Sequence, residues 1–245
     1  MSDIRFKNVS IYYQNRNEIV TAVDDVSLLF ENEKISVLIG YSGCGKSSIL
    51  NAISGRIMFD GEIFLNDQNI LDIAVQKRNM SYVSQEIVLY PHLTVYDNIA
   101  YPLKLLKFKR EEIDIRVREI CEYMDISFLL TRKPKYLSIG QQQKVAIARA
   151  LVKRPDIILM DEPLSNLDKE NAEEIRHLIK DVIREYKATC IYVSHNVNDC
   201  VALADSIFVM HEGKIIKEFT PIEFLESNDK IVMSLKTDLP HEKDI

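Results

Sequence analysis

The stretch from Ile35 to Asn51 restricts the possible folds of this chain more than any other. The apolar run Ile35–Ile39, mostly β-branched or Leu, leads directly into Gly40-Tyr41-Ser42-Gly43-Cys44-Gly45-Lys46-Ser47. That segment fits the G-x-x-x-x-G-K-[ST] phosphate-binding loop, with a buried strand predicted before it and a helix starting over Ser47 to Ile53. Glycines let the backbone curl so that successive N–H groups face phosphate oxygens, and the helix dipole adds to that field. Lys46 can reach the β- and γ-phosphates, and the Ser47 hydroxyl can ligate Mg²⁺. A Gly-rich turn with an incidental lysine is the plainer alternative, and the flanking strand and helix argue against it. The loop alone indicates a nucleoside triphosphate and says little about its use.

The chain has 245 residues, enough for one large domain or two small ones with a substantial core. No stretch approaches the roughly 18 uncharged apolar residues of a membrane span. The N-terminus MSDIRFKNVS lacks the apolar core of a signal peptide. The expectation is a protein kept in the cytosol, with any membrane association made through a partner. A net charge of −6, without a long basic run, argues against a nucleic-acid platform. Cys44, Cys121, Cys190 and Cys200 show no C-x-x-C pair and no Cys/His metal spacing, so reduced structural thiols are expected. Cys44 stands apart, because a thiol beside Lys46 and a helix N-terminus is expected to have a depressed pKa.

Around the loop, residues 4 to 30 alternate apolar and polar, with Ile4, Phe6, Val26, Leu28 and Phe30 as the apolar set. This predicts antiparallel strands joined at the polar turn Asn15-Arg16-Asn17-Glu18. Gly61–Leu65 and Met80–Val83 read as further strands, the second running into Ser84-Gln85. From Glu86 to Leu137 the period becomes helical, and Ile113, Val117, Ile120 and Met124 form one stripe. Leu137-Ser138-Ile139-Gly140-Gln141-Gln142-Gln143 precedes helical spacing over Lys144–Lys153, stopped by Pro155; the Ser-x-Gly turn reads as an N-cap, and the same geometry offers N–H groups to an anion. The run Ile157–Met160 predicts a buried parallel strand ending in the acid pair Asp161-Glu162, where open α/β sheets bind ligand. A second amphipathic helix is predicted over Asn171–Tyr186, with Ile175, Leu178, Ile179 and Val182 inward. Thr189–Val193 is a buried strand delivering Ser194-His195. Ser206–Met210 and Gly213–Ile216 suggest a closing hairpin, and a loosely held tail is expected after Asp229.

The phosphate-binding loop, Gln85, LSIGQ at 137–141, IILMDE at 157–162, SNLD at 165–168 and His195 follow one another in order. In this the chain resembles the nucleotide-binding subunits of ATP-binding cassette (ABC) transporters over nearly its whole length. The stretch LYPHLTVYDNIAYPLK at 89–104 and SNLD are most similar to the ATPase subunits of maltose-type sugar importers. Those subunits usually carry a C-terminal regulatory barrel, for which Ile245 comes too soon. The resemblance implies an α/β fold: a P-loop NTPase core with a mostly parallel sheet, an N-terminal antiparallel β subdomain and an inserted α-helical subdomain. The ABC ATPase domain would cover 1–228, with its helical part at about 86–137, and 229–245 would be a short tail.

It also implies roles. Tyr13, rather than Tyr12, would stack on adenine. Gly40, Tyr41, Ser42, Gly43, Cys44, Gly45, Lys46, Ser47 and Ser48 would bind the phosphates of ATP. Ser47, Gln85 and Asp161 would hold Mg²⁺, with Glu162 as general base and His195 on the γ-phosphate. Ser138, Gly140 and Gln141 would complete the γ-phosphate site of an opposite subunit, and Asp168 would sit in the loop crossing to it. The implied partners are a second nucleotide-binding subunit, identical or not, integral membrane permease subunits and, in an importer, a solute-binding protein. The implied location is peripheral, on the cytoplasmic face of the cell membrane, and solute import is the expected direction. Ile139 replaces the first glycine of LSGGQ; a β-branched residue there requires ordinary backbone geometry. An exporter or lipid-extraction ATPase shares the same motifs. Non-transport ABC ATPases normally have paired cassettes or a coiled-coil insertion, and P-loop kinases and GTPases have no use for LSIGQ.

Overall fold

The computed structural model describes residues 2–15 and 18–237. In chain order the first elements are β1 (Ile4–Asn15), β2 (Glu18–Phe30), β3 (Ile35–Ile39), α1 (Lys46–Ile53), β4 (Asp60–Leu65) and β5 (Gln68–Asn69). Next come β6 (Met80–Val83), α2 (Val95–Leu105), α3 (Arg110–Tyr123), α4 (Ile139–Leu151), β7 (Ile157–Asp161) and α5 (Lys169–Tyr186). The chain continues through β8 (Thr189–Ser194), α6 (Val197–Leu203), β9 (Ser206–His211), β10 (Lys214–Phe219), α7 (Pro221–Glu226) and α8 (Lys230–Thr237). The fold is α/β with both parallel and antiparallel pairing. It divides into two units: the described residues up to Asn79 with those from Thr189 onward, and Met80–Ala188.

The first unit holds an antiparallel sheet in the order β2-β1-β4-β5 and a second set of strands in the order β10-β9-β3-β8. β1 and β2 pair as the alternating pattern predicts, with Ile4 opposite Phe30 and Tyr13 opposite Val20. Ile4, Phe6, Val26 and Phe30 are buried, and Leu28 is half-buried. The turn residues Arg16 and Asn17 lie outside the described residues. β3 runs parallel to β8 and to β9, with Val37 beside both Tyr192 and Ile207. Every residue of β3 and β8 is buried, as expected where parallel strands are covered on both faces and are apolar without alternation. β9 and β10 form the closing antiparallel hairpin. Arg78 is buried and donates to the carbonyls of Ile53, Ile70 and Ile73, tying the end of α1 to the segment after β5.

The second unit is built on the parallel pair β6–β7, with Met80 beside Ile157 and Val83 beside Met160. Ile157 to Met160 are fully buried. Thr94 caps α2, accepting the Asp97 N–H at 3.1 Å. In α3 the predicted stripe is the buried one: Ile113, Val117 and Ile120, with Met124 just beyond the helix end. The charged face is ion-paired, Arg116 to Glu112 at 2.8 Å and Arg118 to Asp114 at 2.9 Å, each one helical turn apart. α5 starts at Lys169, two residues before its predicted start, because Asp168 caps it. Its inward set is Ala172, Ile175, Ile179, Val182 and Ile183, while Leu178 is only half-buried.

The expected loose tail after Asp229 is a helix over Lys230–Thr237, with Val232 and Leu235 buried. Lys236 Nζ donates to the carbonyls of Leu225 and Ser227 at 2.7 and 2.9 Å, which ties α8 back to the end of α7. Residues 238–245 lie outside the described residues.

Candidate nucleotide site

In the first unit, β3 ends at Ile39 and α1 begins at Lys46, so six residues turn the chain from strand to helix. Two glycines in left-handed backbone make this possible: Gly43 at φ 82° and Gly45 at φ 109°. Gly45 is the N-cap of α1 and is wedged against β2, since a Cβ on it would lie 2.1 Å from the Ala22 carbonyl oxygen. The loop is held by the β9–β10 turn as well, where Gly213 donates its N–H to the Cys44 carbonyl at 3.1 Å. The first turn of α1 contains no acidic residue, so the positive end of the helix is left for an anion.

Lys46 is buried, and its ammonium donates to the carbonyls of Gly40 and Tyr41 at 2.8 and 2.9 Å. Those two bonds lash the lysine along its own loop and fix where its charge sits. Tyr41, Ser42, Gly43 and Ser47 are exposed on the loop, and Ser48 is buried behind it. Of the two tyrosines near the end of β1, it is Tyr13 that reaches the loop helix, with its hydroxyl 3.1 Å from Ser48 Oγ. Both Tyr12 and Tyr13 remain more than a third exposed.

Cys44 departs from expectation. Its thiol pKa is raised, because burial outweighs the lowering effect of the Lys46 charge. Lys46 Nζ is 3.9 Å from Cys44 Sγ, but the side chain is folded under the loop, and loss of hydration penalises the thiolate more than the ammonium helps it. Cys121, Cys190 and Cys200 are buried free thiols raised by the same cause, in line with structural cysteines. His195, after β8 in this unit, is exposed, while the neighbouring Ser194 is buried and donates to Asp199.

In the second unit, Asp161 closes β7 and accepts a hydrogen bond from the Tyr82 hydroxyl at 2.9 Å. Glu162 follows at φ 45°, a left-handed backbone costing a non-glycine residue about 1–3 kcal/mol. Its carbonyl accepts both the Ser165 N–H at 3.2 Å and the Ser165 hydroxyl at 2.9 Å. Pro163 at the second position favours this tight turn. Gln85 is exposed, and its carbonyl accepts from Asn166 Nδ2 at 3.4 Å.

Ser138 caps α4 in a full capping box with Gln141, and the first turn of α4 is free of acidic residues. Ser138 is exposed, Gln141 is half-buried and Gly140 is buried. Ile139 is the first residue of the helix, 58% exposed and outside the left-handed region, as its β-branched side chain requires. Asp168 accepts the Asn171 N–H at 3.0 Å and its side-chain amide at 2.6 Å. These donors, the N–H first, hold its carboxyl below the usual range. A Cβ on Gly140 would meet Asn171 Oδ1 at 2.9 Å, so Asn171 lies between the SNLD loop and the start of α4.

The contacts of three residues of this second unit are not read from the sequence: those of Tyr82, Ser165 and Asn171. Ser165 has a signal, since Pro163 after Glu162 marks a turn whose fourth residue is Ser165. Tyr82 and Asn171 have none short of the register and the cap.

Taken one by one, the side chains read as metal ligands in the two units carry the oxygen donors that Mg²⁺ takes. Ser47, Gln85 and Asp161 offer oxygen ligands from a hydroxyl, an amide and one carboxylate. Among the described residues no group of three or more His, Cys, Asp or Glu could hold a metal alone. Mg²⁺ commonly binds through one or two carboxylates together with substrate phosphates.

A strand–loop–helix bearing Lys46 in the first unit, and a strand-end acid pair and an acid-free helix start in the second, are features of an ATP-binding cassette. Residues 23–165 match the ABC transporter family, and the chain belongs to that family. It is 42% identical over 211 residues to the trehalose/maltose import ATP-binding protein MalK of Thermococcus litoralis, covering 83% of this chain and 57% of that protein. It is 37% identical over 224 residues to the sn-glycerol-3-phosphate import ATP-binding protein UgpC of Cupriavidus metallidurans, covering 91% of this chain and 60% of that one. The chain thus spans less than two thirds of the length of these curated relatives. The ATP-binding cassette MJ0796, in a dimeric structure of a post-hydrolysis state bound to ADP and Pi, superimposes with a TM-score of 0.79. That comparison covers 89% of this chain and 98% of the other at 31% identity. A second dimeric structure of MJ0796, described as a bacterial ABC transporter cassette, gives the same values.

Proposed function

We propose that this chain is the ATP-hydrolysing subunit of an ABC transporter that powers solute import through a separate membrane permease. The observation that carries this reading is the pairing, in one chain, of two anion-ready helix starts. One is the Lys46 cradle at α1; the other is the capped, acid-free start of α4 at Ser138. A chain that only held nucleotide would need the first alone. The import ATPases named among its relatives favour import, and the dimeric cassettes it resembles favour a two-subunit arrangement.

In this reading Tyr13 stacks on the adenine and residues 40–48 cradle the phosphates, with Lys46 on the β- and γ-oxygens. Ser47, Gln85 and Asp161 hold Mg²⁺, which when bound neutralises phosphate charge. Glu162 takes a proton from the water that attacks the γ-phosphorus as the bond to the ADP oxygen breaks, a role typically worth about 10²–10⁴ in rate. His195 orients the γ-phosphate. Ser138, Gly140 and Gln141 close the site of the opposite subunit, whose SNLD loop with Asp168 lies at the crossing. ATP then favours the closed dimer and hydrolysis releases it, a ligand-biased two-state element. Among the described residues no helix is long and apolar enough to cross a membrane. In this reading the permease holds the chain at the cytoplasmic face of the cell membrane.

Glu162→Gln tests the assignment. It keeps ATP binding and lowers hydrolysis at least about 100-fold if Glu162 is the base; near-normal turnover would remove it from that role.

A further inference from the structure

We propose that Tyr82 is a positioning residue for Asp161, setting the affinity of the site for its divalent cation. This rests on the reading above that Asp161 holds the metal. On β6 and β7, Tyr82 is paired with Leu159 in a parallel register. Leu159 and Asp161 are two residues apart on one strand and so face the same side, and neighbours across a parallel pair share that side. The phenol therefore runs along the sheet toward the strand end, and its hydroxyl donates to Asp161 Oδ2 at 2.9 Å.

The chemistry of the donor matters. A phenol O–H fixes the carboxylate in one orientation through a hydrogen bond to a charged acceptor. A lysine or arginine in the same place would do so too, but its positive charge would oppose an incoming cation. Tyr82 orients the ligand without that repulsion. Hydrogen-bond partners behind metal-ligating carboxylates typically contribute about 10–100-fold to metal affinity or activity. A tyrosine present only to fill space would lose nothing when its hydroxyl is removed.

The test is Mn²⁺ binding followed by electron paramagnetic resonance, with the full chain loaded with a non-hydrolysable ATP analogue. Tyr82→Phe is expected to weaken Mn²⁺ binding about tenfold. Affinity for the analogue in excess EDTA should be unchanged, and turnover should recover at saturating Mg²⁺. In an Asp161→Asn background, Tyr82→Phe should have no further effect. If Tyr82→Phe binds Mn²⁺ within twofold of the parent while Asp161→Asn loses it, the role of Tyr82 is overturned and the metal assignment stands. If Asp161→Asn itself leaves Mn²⁺ affinity unchanged, the metal assignment falls and the role of Tyr82 falls with it.

Discussion

Gly45→Ala is expected to damage the loop far more than Gly43→Ala, although both glycines have positive φ. Gly43, at φ 82°, has nothing within 4 Å of an added Cβ. Alanine there carries only the left-handed backbone cost, about 1–2 kcal/mol. Gly45, at φ 109°, would place a Cβ 2.1 Å from the Ala22 carbonyl oxygen and 2.7 Å from Met210 Cε. The methionine can swing aside, whereas the β2 carbonyl cannot. A backbone cost of about 1–3 kcal/mol is then joined by an overpacking cost of about 1–3 kcal/mol, for roughly 4 kcal/mol in the middle of the range. Each kcal/mol shifts Tm by about 2–4 °C in a protein of this size. Gly43→Ala should therefore lower Tm by about 2–8 °C and Gly45→Ala by roughly 8–16 °C, measured by circular dichroism without nucleotide. Equal shifts, or a Gly45→Ala protein within 2 °C of the parent on the scale just given, would show that the wedge against β2 does not hold the loop.

Two further predictions concern groups beside the proposed chemistry. Because burial raises the Cys44 thiol, its alkylation by iodoacetamide should climb about tenfold per pH unit up to the raised pKa. A Cys44 rate already levelling off below neutral pH, read by peptide mass spectrometry, would restore the depressed pKa that its neighbours suggest in sequence. Ser165→Ala removes the hydroxyl that holds the strained Glu162 carbonyl, so kcat should fall about tenfold with KM for ATP little changed, while Ser165→Thr retains most of the activity. A Ser165→Ala enzyme with unaltered kcat would separate the turn from catalysis.

Much of this architecture was legible because its signals are local. The stripe Ile113–Val117–Ile120–Met124 needs only a 3.6-residue period, and all four are buried. The run Ile157–Met160 needs only its lack of alternation. The loop at 40–47 declares itself through glycine, lysine and the strand before it. What was not legible depends on neighbours distant in sequence. The environment of Cys44 is set by burial beneath its own loop, which residues at 44 and 46 alone do not reveal. Tyr82 reads as one residue of a short strand until the β6–β7 register places it beside Leu159 and below Asp161. Asn171 reads as an ordinary first-turn residue until Gly140 is found against its side chain. α8 is not legible because Val232 and Leu235 are its only buried side chains, too few to set a period against a polar background.

The proposal that ATP is held between two cassettes is tested most directly by the molar mass of the Glu162→Gln protein in solution. Light scattering coupled to size-exclusion chromatography, run with Mg²⁺ with and without ATP, should give a monomer without nucleotide and a dimer with it. Ser138→Arg, which places a bulky side chain at the start of α4, should abolish the dimer while leaving ATP binding intact. An ATP-saturated Glu162→Gln protein that stays monomeric would contradict a shared site, and so would a dimer unaffected by Ser138→Arg.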